Sequence, residues 1–436
     1  MLALCSCSGN QNITNPDVEG MESLPSGNTM VIYEANPKVF SKTASIKEIE
    51  KNLDRISGEL KVNVLWLMPI YPIGQVNSVN SPYCVKDYKA VNPEYGTLED
   101  VKSLVSAAHG KGMKVILDWV ANHTAWDNAW VSEHPDWYTK NANGEIAYPE
   151  TSDFAWKDVA DLNYSSKEMR NAMKEAMGWW VTEAGVDGFR CDYAEGVPAD
   201  FWTEAIKDLR AIRSDLLMLA EGSNAYLYSC DFDLVYAWTY AEDATAVYKG
   251  AKSVSALYET VKGDMSGLTK DQNRMRYVIN HDTISGTSPL DMYGSQEGVL
   301  SAFTLTAFMQ GVPMIYSSQE IGHPKAINFF NYDVLSWSSN KACTEAYKKI
   351  MEAYIATEKY RGSAPQLIEN GKVGTVYYTA QDHKLLVMCN TSAEKQTVKV
   401  PMDIAGATCT DMITGKKKAL SSSIELEAYQ YLIYTK

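Results

Sequence analysis

Short apolar runs alternate with amphipathic segments along most of the chain. Each run has the length and the aliphatic or aromatic content of a β-strand. The predicted strands are Met30–Ala35, Val62–Pro69, Met113–Val120, Val186–Asp192, Leu216–Glu221, Phe232–Trp238, Tyr277–His281 and Pro313–Ser317. Strands that alternate with helices form parallel sheets that are covered on both faces. Eight such repeats predict an α/β fold, a (β/α)8 TIM barrel.

The amphipathic segments between these strands carry helix signals. Ser45 and Glu48 are spaced as in a capping box, and an apolar face follows at Ile46, Ile49, Leu53 and Ile56. Thr97 and Asp100 open a second segment, whose apolar positions are Leu98, Val101, Leu104, Val105 and Ala108. A third segment carries Phe201, Trp202, Ala205, Ile206 and Leu209. Each pattern predicts a helix that packs on the outside of the barrel.

Two segments depart from the repeat. Residues 121–165 form a long connection rich in Trp, Asn and Asp, which predicts a small inserted domain after the third strand. Tryptophan side chains either pack in the core of a small domain or stack on sugar rings. Packing in the core is favoured for the tryptophans of this segment. Short runs in which apolar and polar residues alternate lie beyond residue 360, and they predict a C-terminal antiparallel β-sandwich over residues 361–436. The barrel would then comprise residues 29–120 and 166–360.

The first residues, Met1–Gly9, are similar to the end of a bacterial lipoprotein signal, with Cys5 or Cys7 as the acylated residue. Residues 1–28 are therefore predicted to be a signal remnant and a polar tether. This predicts a secreted, lipid-anchored protein in the cell envelope of a bacterium, periplasmic or at the surface; the alternative is a cytoplasmic protein. No later segment has the roughly 20 apolar residues of a transmembrane span.

Composition narrows the class of partner. A formal net charge of −14 argues against nucleic acid, which usually needs a basic surface. The eight cysteines show no metal-ligand spacing with histidine, and a chain with this much apolar sequence does not need disulfides. Free thiols are expected, and the oligomeric state is left open.

Four acidic residues each lie at the end of an apolar, strand-like run: Asp118, Asp192, Glu221 and Asp282. Closing a parallel barrel brings the carboxyl ends of its strands together at one mouth. Two carboxyl groups at one site are able to cleave a glycosidic bond, one as acid and the other as base or nucleophile. The spacing of the acids along the chain therefore favours a glycosidase.

The neighbours of these acids indicate different roles. Arg190 and Asp192 lie two positions apart on one strand, so both side chains face the barrel interior. The guanidinium is expected to lower the pKa of Asp192 and keep it ionised as a nucleophile, although a purely structural ion pair is the alternative. Glu221 ends an apolar strand near other acids, where a raised pKa would suit a general acid. His281 and Asp282 are adjacent, so both reach the site only if their strand ends there.

The acidic residues lie in segments that resemble the α-amylase family of glycoside hydrolases. The matching segments are Asp118–His123, Gly188–Asp192, Ala220–Gly222 and Asn280–Asp282, with supporting ones at Ser81–Tyr88, Asn92–Thr97, Asp161–Asn163 and Gly311–Tyr316. They follow the family's order from about residue 30 to residue 359. The resemblance implies the same barrel, inserted domain and C-terminal domain.

Carried over position by position, the resemblance implies a catalytic set of Asp192 as nucleophile, Glu221 as acid/base and Asp282 as transition-state stabiliser. The residues implied to bind the sugar at the cleaved bond are His123, Arg190 and His281, with Tyr83 stacked beneath it. Asp118 would hold Arg190 in place. The implied activity is retaining hydrolysis of α-glucosidic bonds in starch-type glucans or maltooligosaccharides. The alternatives are a transglycosylase or isomerase on the same scaffold, or a glucan-binding protein without catalysis.

The chain departs from the family at two places. Tyr193–Pro198 follows the nucleophile where many members carry a Lys-His pair near the leaving group, so the resemblance does not fix the linkage cleaved. The family's calcium site uses the asparagine that matches Asn122, but its partners are not recognisable, and no Asp-rich metal loop occurs in Pro37–Ser45. No cofactor is expected to be required, and the sequence gives no support for calcium.

Overall fold

The computed structural model describes residue 27, residues 29–380 and residues 382–436. The lipoprotein prediction at Cys5 and Cys7 lies outside the described residues and stays a prediction. Within the described ranges, no helix combines the length and the apolar character needed to cross a bilayer. The cysteines in these ranges are buried free thiols, as expected: Cys84, Cys191, Cys230, Cys343, Cys389 and Cys409.

Eight parallel strands close into a barrel, which confirms the predicted fold class. In chain order the barrel strands are Ile32–Ala35, Val64–Leu67, Lys114–Val120, Gly188–Asp192, Leu217–Ala220, Leu234–Tyr236, Asn273–Arg276 and Val312–Tyr316. Each strand pairs with its neighbours in chain order, and the eighth returns to the first, with Met314 opposite Ile32. The strands are buried on both faces because helices cover the outside of the barrel.

Helices of very different length connect the strands. They are Pro37–Phe40, Ser45–Lys51, Leu98–His109, Ala129–Glu133, Lys167–Glu183, Ala199–Ile212, Tyr226–Ser229, Trp238–Tyr248, Val254–Met265, His281–Gly286, Pro289–Tyr293, Gln296–Phe308 and Lys341–Ala356. Thr97 and Asp100 form the predicted capping box of the Leu98–His109 helix. All five predicted apolar positions of the Ala199–Ile212 helix are buried. Both helix predictions are confirmed.

The predicted capping box at Ser45 is wrong. The helix does begin at Ser45, but its N-cap is Ala44 in the left-handed conformation, with φ of 52° and no side-chain cap. The Ser45 hydroxyl donates instead to the Ser41 carbonyl at 2.8 Å. Ser45 is buried and already inside the first turn, so its side chain is not free to accept from the third backbone N–H group.

The seventh barrel strand lies four residues before its predicted position. Asn273–Arg276 pairs with the sixth and eighth strands, whereas Tyr277–Ile279 is buried without continuing the ladder. Asn280 then caps the helix His281–Gly286. The strand was missed because three of its four residues are polar; Arg274 and Arg276 are nevertheless buried, and each donates to backbone carbonyls.

Residues 121–165 contain a small antiparallel pair, His123–Ala125 with Val159–Asp161, and the helix Ala129–Glu133. The C-terminal part holds a six-stranded antiparallel sheet and a separate two-stranded one. Its strands are Gln366–Asn370, Val373–Ala380, His383–Asn390, Gln396–Lys399, Thr408–Asp411, Lys417–Ala419, Ser423–Leu426 and Tyr431–Thr435. The predicted antiparallel C-terminal domain is thus present, and it contains eight strands among the described residues.

Candidate active site

The carboxyl ends of the barrel strands surround a cavity of about 260 Å³. Six of the eight residues selected from the sequence line it: Tyr83, His123, Asp192, Glu221, His281 and Asp282. The other two, Asp118 and Arg190, are fully buried beneath it. The whole selected set therefore meets at one mouth of the barrel, although its members span much of the chain.

Arg190 lies at the centre of this group. One terminal nitrogen, Nη1, donates to Asp118 Oδ1 at 2.7 Å and to Asp192 Oδ1 at 2.8 Å. The other, Nη2, is 3.0 Å from Glu221 Oε2 as an ion pair, without the alignment of a hydrogen bond. One guanidinium thus contacts three carboxyl groups, and its planar fork suits this better than a lysine would.

The pKa values of the two central carboxyl groups are both raised. Burial is the largest cause for Asp192, and it outweighs the opposing effect of Arg190, so the pKa rises to about 6. Arg190 does lower the pKa of Asp192, as expected, but burial and the neighbouring Asp118 outweigh this effect, so the expected net decrease is wrong. Burial also raises the pKa of Glu221 to about 7, with contributions from Asp192 and Asp282. The raised pKa of Glu221 favours the protonated state that a general acid requires.

Asp118 connects several parts of the site. Besides Arg190, its carboxyl group accepts from Trp66 Nε1 at 3.1 Å and from the Tyr83 hydroxyl at 3.0 Å. Burial raises its pKa to about 6 even though Arg190 acts in the opposite direction. These contacts agree with a role in holding Arg190 and Tyr83, and Asp118 itself does not line the cavity.

His281 and Asp282 lie in the first turn of a helix, not on a strand. His281 Nε2 is 3.4 Å from Asp282 Oδ2 and 2.8 Å from the Tyr83 hydroxyl, and its ring stacks on that of Tyr83. Burial lowers the pKa of His281, but Asp282 and Glu34 outweigh it and raise the pKa to about 9. Because strand alternation does not apply inside a helical turn, the two neighbours both face the cavity.

Glu34 was missed in the sequence analysis. It belongs to the first barrel strand, is fully buried, and lies 2.5 Å from His281 Nδ1. An acidic residue between apolar neighbours in a predicted strand was the available signal, because a charged group at such a position needs a buried partner.

The wall of the cavity adds aromatic residues that the acidic motifs did not indicate: Trp156, Tyr193, Phe329 and Phe330. Trp156 stacks on Phe154 and meets Tyr193 edge to face. Trp156 lines the cavity and also packs against the small apolar cluster of Cys84, Ala125 and Val159, while Trp137 is buried, as expected of tryptophans that serve as core. Tyr193 is in the left-handed conformation, with φ of 41°, and its N–H donates to Glu221 Oε2 at 2.6 Å.

His123 and Asn122 bear on the sugar and calcium predictions. His123 is buried, which lowers the pKa of its imidazole to about 4, so it enters the site as a neutral ring. The Asn122 side-chain nitrogen is 3.3 Å from His123 Nδ1. Among the described residues, no group of three or more His, Cys, Asp or Glu side chains is arranged to hold a metal ion.

Comparison with known proteins gives a consistent result. Residues 41–366 match the family model described as the alpha-amylase catalytic domain. The chain is 26% identical to alpha-amylase MalA of Haloarcula japonica over 88% of this chain and 58% of the relative. It is 24% identical to a cyclomaltodextrinase of Geobacillus thermopakistaniensis over 89% of this chain and 70% of the relative. The chain thus spans little more than half the length of the first of these relatives.

A solved structure agrees over nearly the whole fold. The crystal structure of the maltogenic alpha-amylase AmyB from Thermotoga neapolitana superposes with a TM-score of 0.83 at 26% identity, over 94% of this chain and 99% of that one. The family model covers well over half of the 436 residues and contains every residue of the site except Glu34. This chain belongs to the alpha-amylase family.

Proposed function

We propose that the protein is a retaining glycoside hydrolase that cleaves α-glucosidic bonds in starch-type glucans or maltooligosaccharides. The observation that carries this proposal is the meeting of Asp192 and Glu221 at one guanidinium in the cavity. Two carboxyl groups at one site are able to divide the roles of nucleophile and acid, and burial together with Asp192 and Asp282 raises the pKa of Glu221, as a general acid requires.

In the first step, Glu221 protonates the glycosidic oxygen while the Asp192 carboxylate attacks the anomeric carbon. The bond to the leaving sugar breaks, and a covalent glycosyl-enzyme forms on Asp192. In the second step, Glu221, now ionised, removes a proton from water, and that water displaces Asp192 from the anomeric carbon. Two inversions give net retention of configuration. Asp282, at the cavity surface, stabilises the positive charge that develops on the sugar.

The test is a substrate panel of starch, pullulan, maltotriose, isomaltose, sucrose and trehalose, run with Asp192→Asn beside the parent. We expect kcat of the variant to fall at least about 10³-fold, because an amide side chain cannot form the covalent glycosyl-enzyme. Asp233→Asn is the matched control. Asp233 is a partly buried carboxyl group with a pKa that burial raises to about 6 and an arginine partner, Arg210, but it does not line the cavity.

Three outcomes would redirect the proposal. Equal activity of Asp192→Asn and the parent would remove Asp192 as nucleophile. Longer products from maltotriose would identify a transglycosylase, and an isomeric disaccharide from sucrose or trehalose would identify an isomerase. Binding of starch without release of reducing sugar from any substrate would leave a glucan-binding protein.

A further inference from the structure

Glu34 is a buried acid that the proposed mechanism does not use. Its Oε1 atom contacts His281 Nδ1 at 2.5 Å, and its Oε2 atom is buried without a hydrogen-bond partner in the described part of the chain. Burial raises the pKa of Glu34, against the opposing effects of His281 and Arg190. A fully buried carboxylate is costly unless a charge compensates it, and His281 is its ion-pair partner among the described residues.

The hydrogen-bond partners of Tyr83 indicate the charge on His281. The Tyr83 hydroxyl has one proton and contacts both Asp118 Oδ2, at 3.0 Å, and His281 Nε2, at 2.8 Å. When Asp118 is ionised, the Tyr83 hydroxyl donates its hydrogen bond to Asp118. Nε2 of His281 must then itself donate to the Tyr83 oxygen. When Glu34 is ionised it accepts from Nδ1, and a histidine that also donates from Nε2 to Tyr83 then carries two N–H groups. It is therefore an imidazolium.

The charged groups around His281 favour the same state. Glu34 faces it from the first strand, Asp118 lies behind Tyr83, and Asp282 lies in its own helix. Arg190 is the opposing cation, and the rings of Trp66 and Phe329 pack edge-on to the imidazole. Three acids against one guanidinium stabilise a positive ring.

We propose that Glu34 is a positioning residue for the reaction, which holds His281 as an imidazolium and thereby directs the Tyr83 hydroxyl to Asp118. The hydrogen-bond chain then runs in one direction from the imidazolium through Tyr83 to the carboxyl group that holds Arg190. If Glu34 loses its charge, His281 becomes neutral and its Nε2 accepts from Tyr83 instead. Asp118 then loses a donor, and the support of Arg190 weakens. This inference rests on the proposed function for its catalytic consequence only.

The experiment compares Glu34→Gln with the parent by nitrogen NMR of the imidazole, with the His281 signal assigned from a His281→Gln variant. Glutamine keeps the shape and an acceptor for Nδ1 but removes the charge. At about pH 8, where an unperturbed histidine is neutral, we expect an imidazolium in the parent and a neutral ring in Glu34→Gln. We also expect kcat to fall about 10- to 100-fold, the range found when the hydrogen-bond partner of a metal-binding histidine is removed, with a smaller change in KM.

Glu320→Gln is the control, because Glu320 is equally buried but bonds to Tyr33 and Arg55 away from the cavity. In the Glu320→Gln variant, His281 should titrate as it does in the parent. A neutral His281 in the parent at this pH overturns the proposal, and so does an unchanged titration in Glu34→Gln. The parent titration decides the question even if Glu34→Gln fails to fold. The NMR result does not depend on turnover, whereas failure of the proposed function would appear as inactivity of the parent on every sugar.

Discussion

At the scale of single residues, one buried guanidinium organises the site. Arg190 is fully buried and contacts Asp118, Asp192 and Glu221, so it compensates three acids at once. Its plane also lies over the rings of Trp66, Tyr83 and Tyr236. Because one cation serves three carboxyl groups, burial prevails and all three pKa values are raised.

These pKa values predict a bell-shaped dependence of kcat/KM on pH. Asp192 must be ionised to attack, so activity falls as the pH drops through its pKa of about 6. Glu221 must be protonated to donate, so activity falls as the pH rises through its pKa of about 7. The two groups interact, so the measured limits belong to the pair. Initial rates on a short maltooligosaccharide should give a narrow maximum between these limits; a flat profile on either side would contradict the assignment.

The raised pKa of Glu221 also predicts that this residue, which the proposed reaction requires, lowers the stability of the protein at alkaline pH. Its folded pKa of about 7 lies above the ordinary value of 4.5, so the folded state binds the proton more tightly. Stability from this group is complete at low pH and is lost as the pH rises through about 7. Glu221→Gln should therefore be more stable than the parent at alkaline pH, by on the order of 1–3 kcal/mol, and of similar stability in acid.

Urea unfolding of parent and Glu221→Gln at an acidic and an alkaline pH measures this difference. Glu242→Gln, at an exposed glutamate, is the control and should show no such pH dependence. A Glu221→Gln protein that is less stable than the parent above the pKa would mean that the ion pair with Arg190 outweighs burial.

At the scale of elements, one lysine joins two loops of the cavity wall. Lys38 lies in the short helix after the first strand, and its ammonium donates to the carbonyls of Asn80 at 3.0 Å and Phe330 at 2.8 Å. Val79 and Phe330 line the cavity on these two loops. Lys38 is almost fully buried, and burial lowers its pKa to about 8. The cation therefore fixes one loop against the other.

Lys38→Met is predicted to loosen this wall. The methionine keeps the apolar stem but leaves the Asn80 carbonyl without the ammonium, while the Phe330 carbonyl still accepts from the Asn80 side-chain amide. We expect a cost of about 1–3 kcal/mol. We expect KM for maltooligosaccharides to rise and hydrogen exchange in residues 73–82 to accelerate. Lys42→Met is the control, because Lys42 is exposed on the adjoining segment. Unchanged exchange in Lys38→Met would show that the loops hold their position without the ammonium.

At the scale of the whole molecule, the barrel and the C-terminal sheet share one apolar core. That core contains barrel residues such as Phe308 together with Val376, Leu385 and Ile433 of the sheet. Hydrogen bonds cross the same contact, since Tyr258 accepts from the Thr375 N–H at 2.6 Å and Tyr378 donates to the Phe308 carbonyl at 3.0 Å. The two parts are thus expected to unfold together.

Tyr258→Phe tests this coupling. Removing the hydroxyl leaves the buried Thr375 N–H without its partner, so we expect a loss of about 1–3 kcal/mol. Calorimetry should still show one transition, shifted to lower temperature, whereas Tyr148→Phe in the insertion should leave it in place. Two separate transitions in the parent would contradict the shared core.

The sequence by itself determined the periodicities and the chemistry of individual positions. Alternating apolar runs predicted the barrel, and the acids at the ends of those runs predicted Asp192, Glu221 and Asp282. These signals are local, because side-chain periodicity follows from the geometry of a single strand or helix. They failed where polar residues occupy buried positions, as in Asn273–Arg276 and at Glu34, because their partners are remote in sequence.

Only the tertiary structure decided which atoms meet. Closing the barrel brought Glu34 to His281 and three carboxyl groups to one arginine, and burial there raised the pKa of Asp192 instead of lowering it. The physical reason is that a pKa depends on the solvent excluded and on the charges shared at a site. Both arise from contacts between strands that are distant in the chain, and no local pattern specifies them.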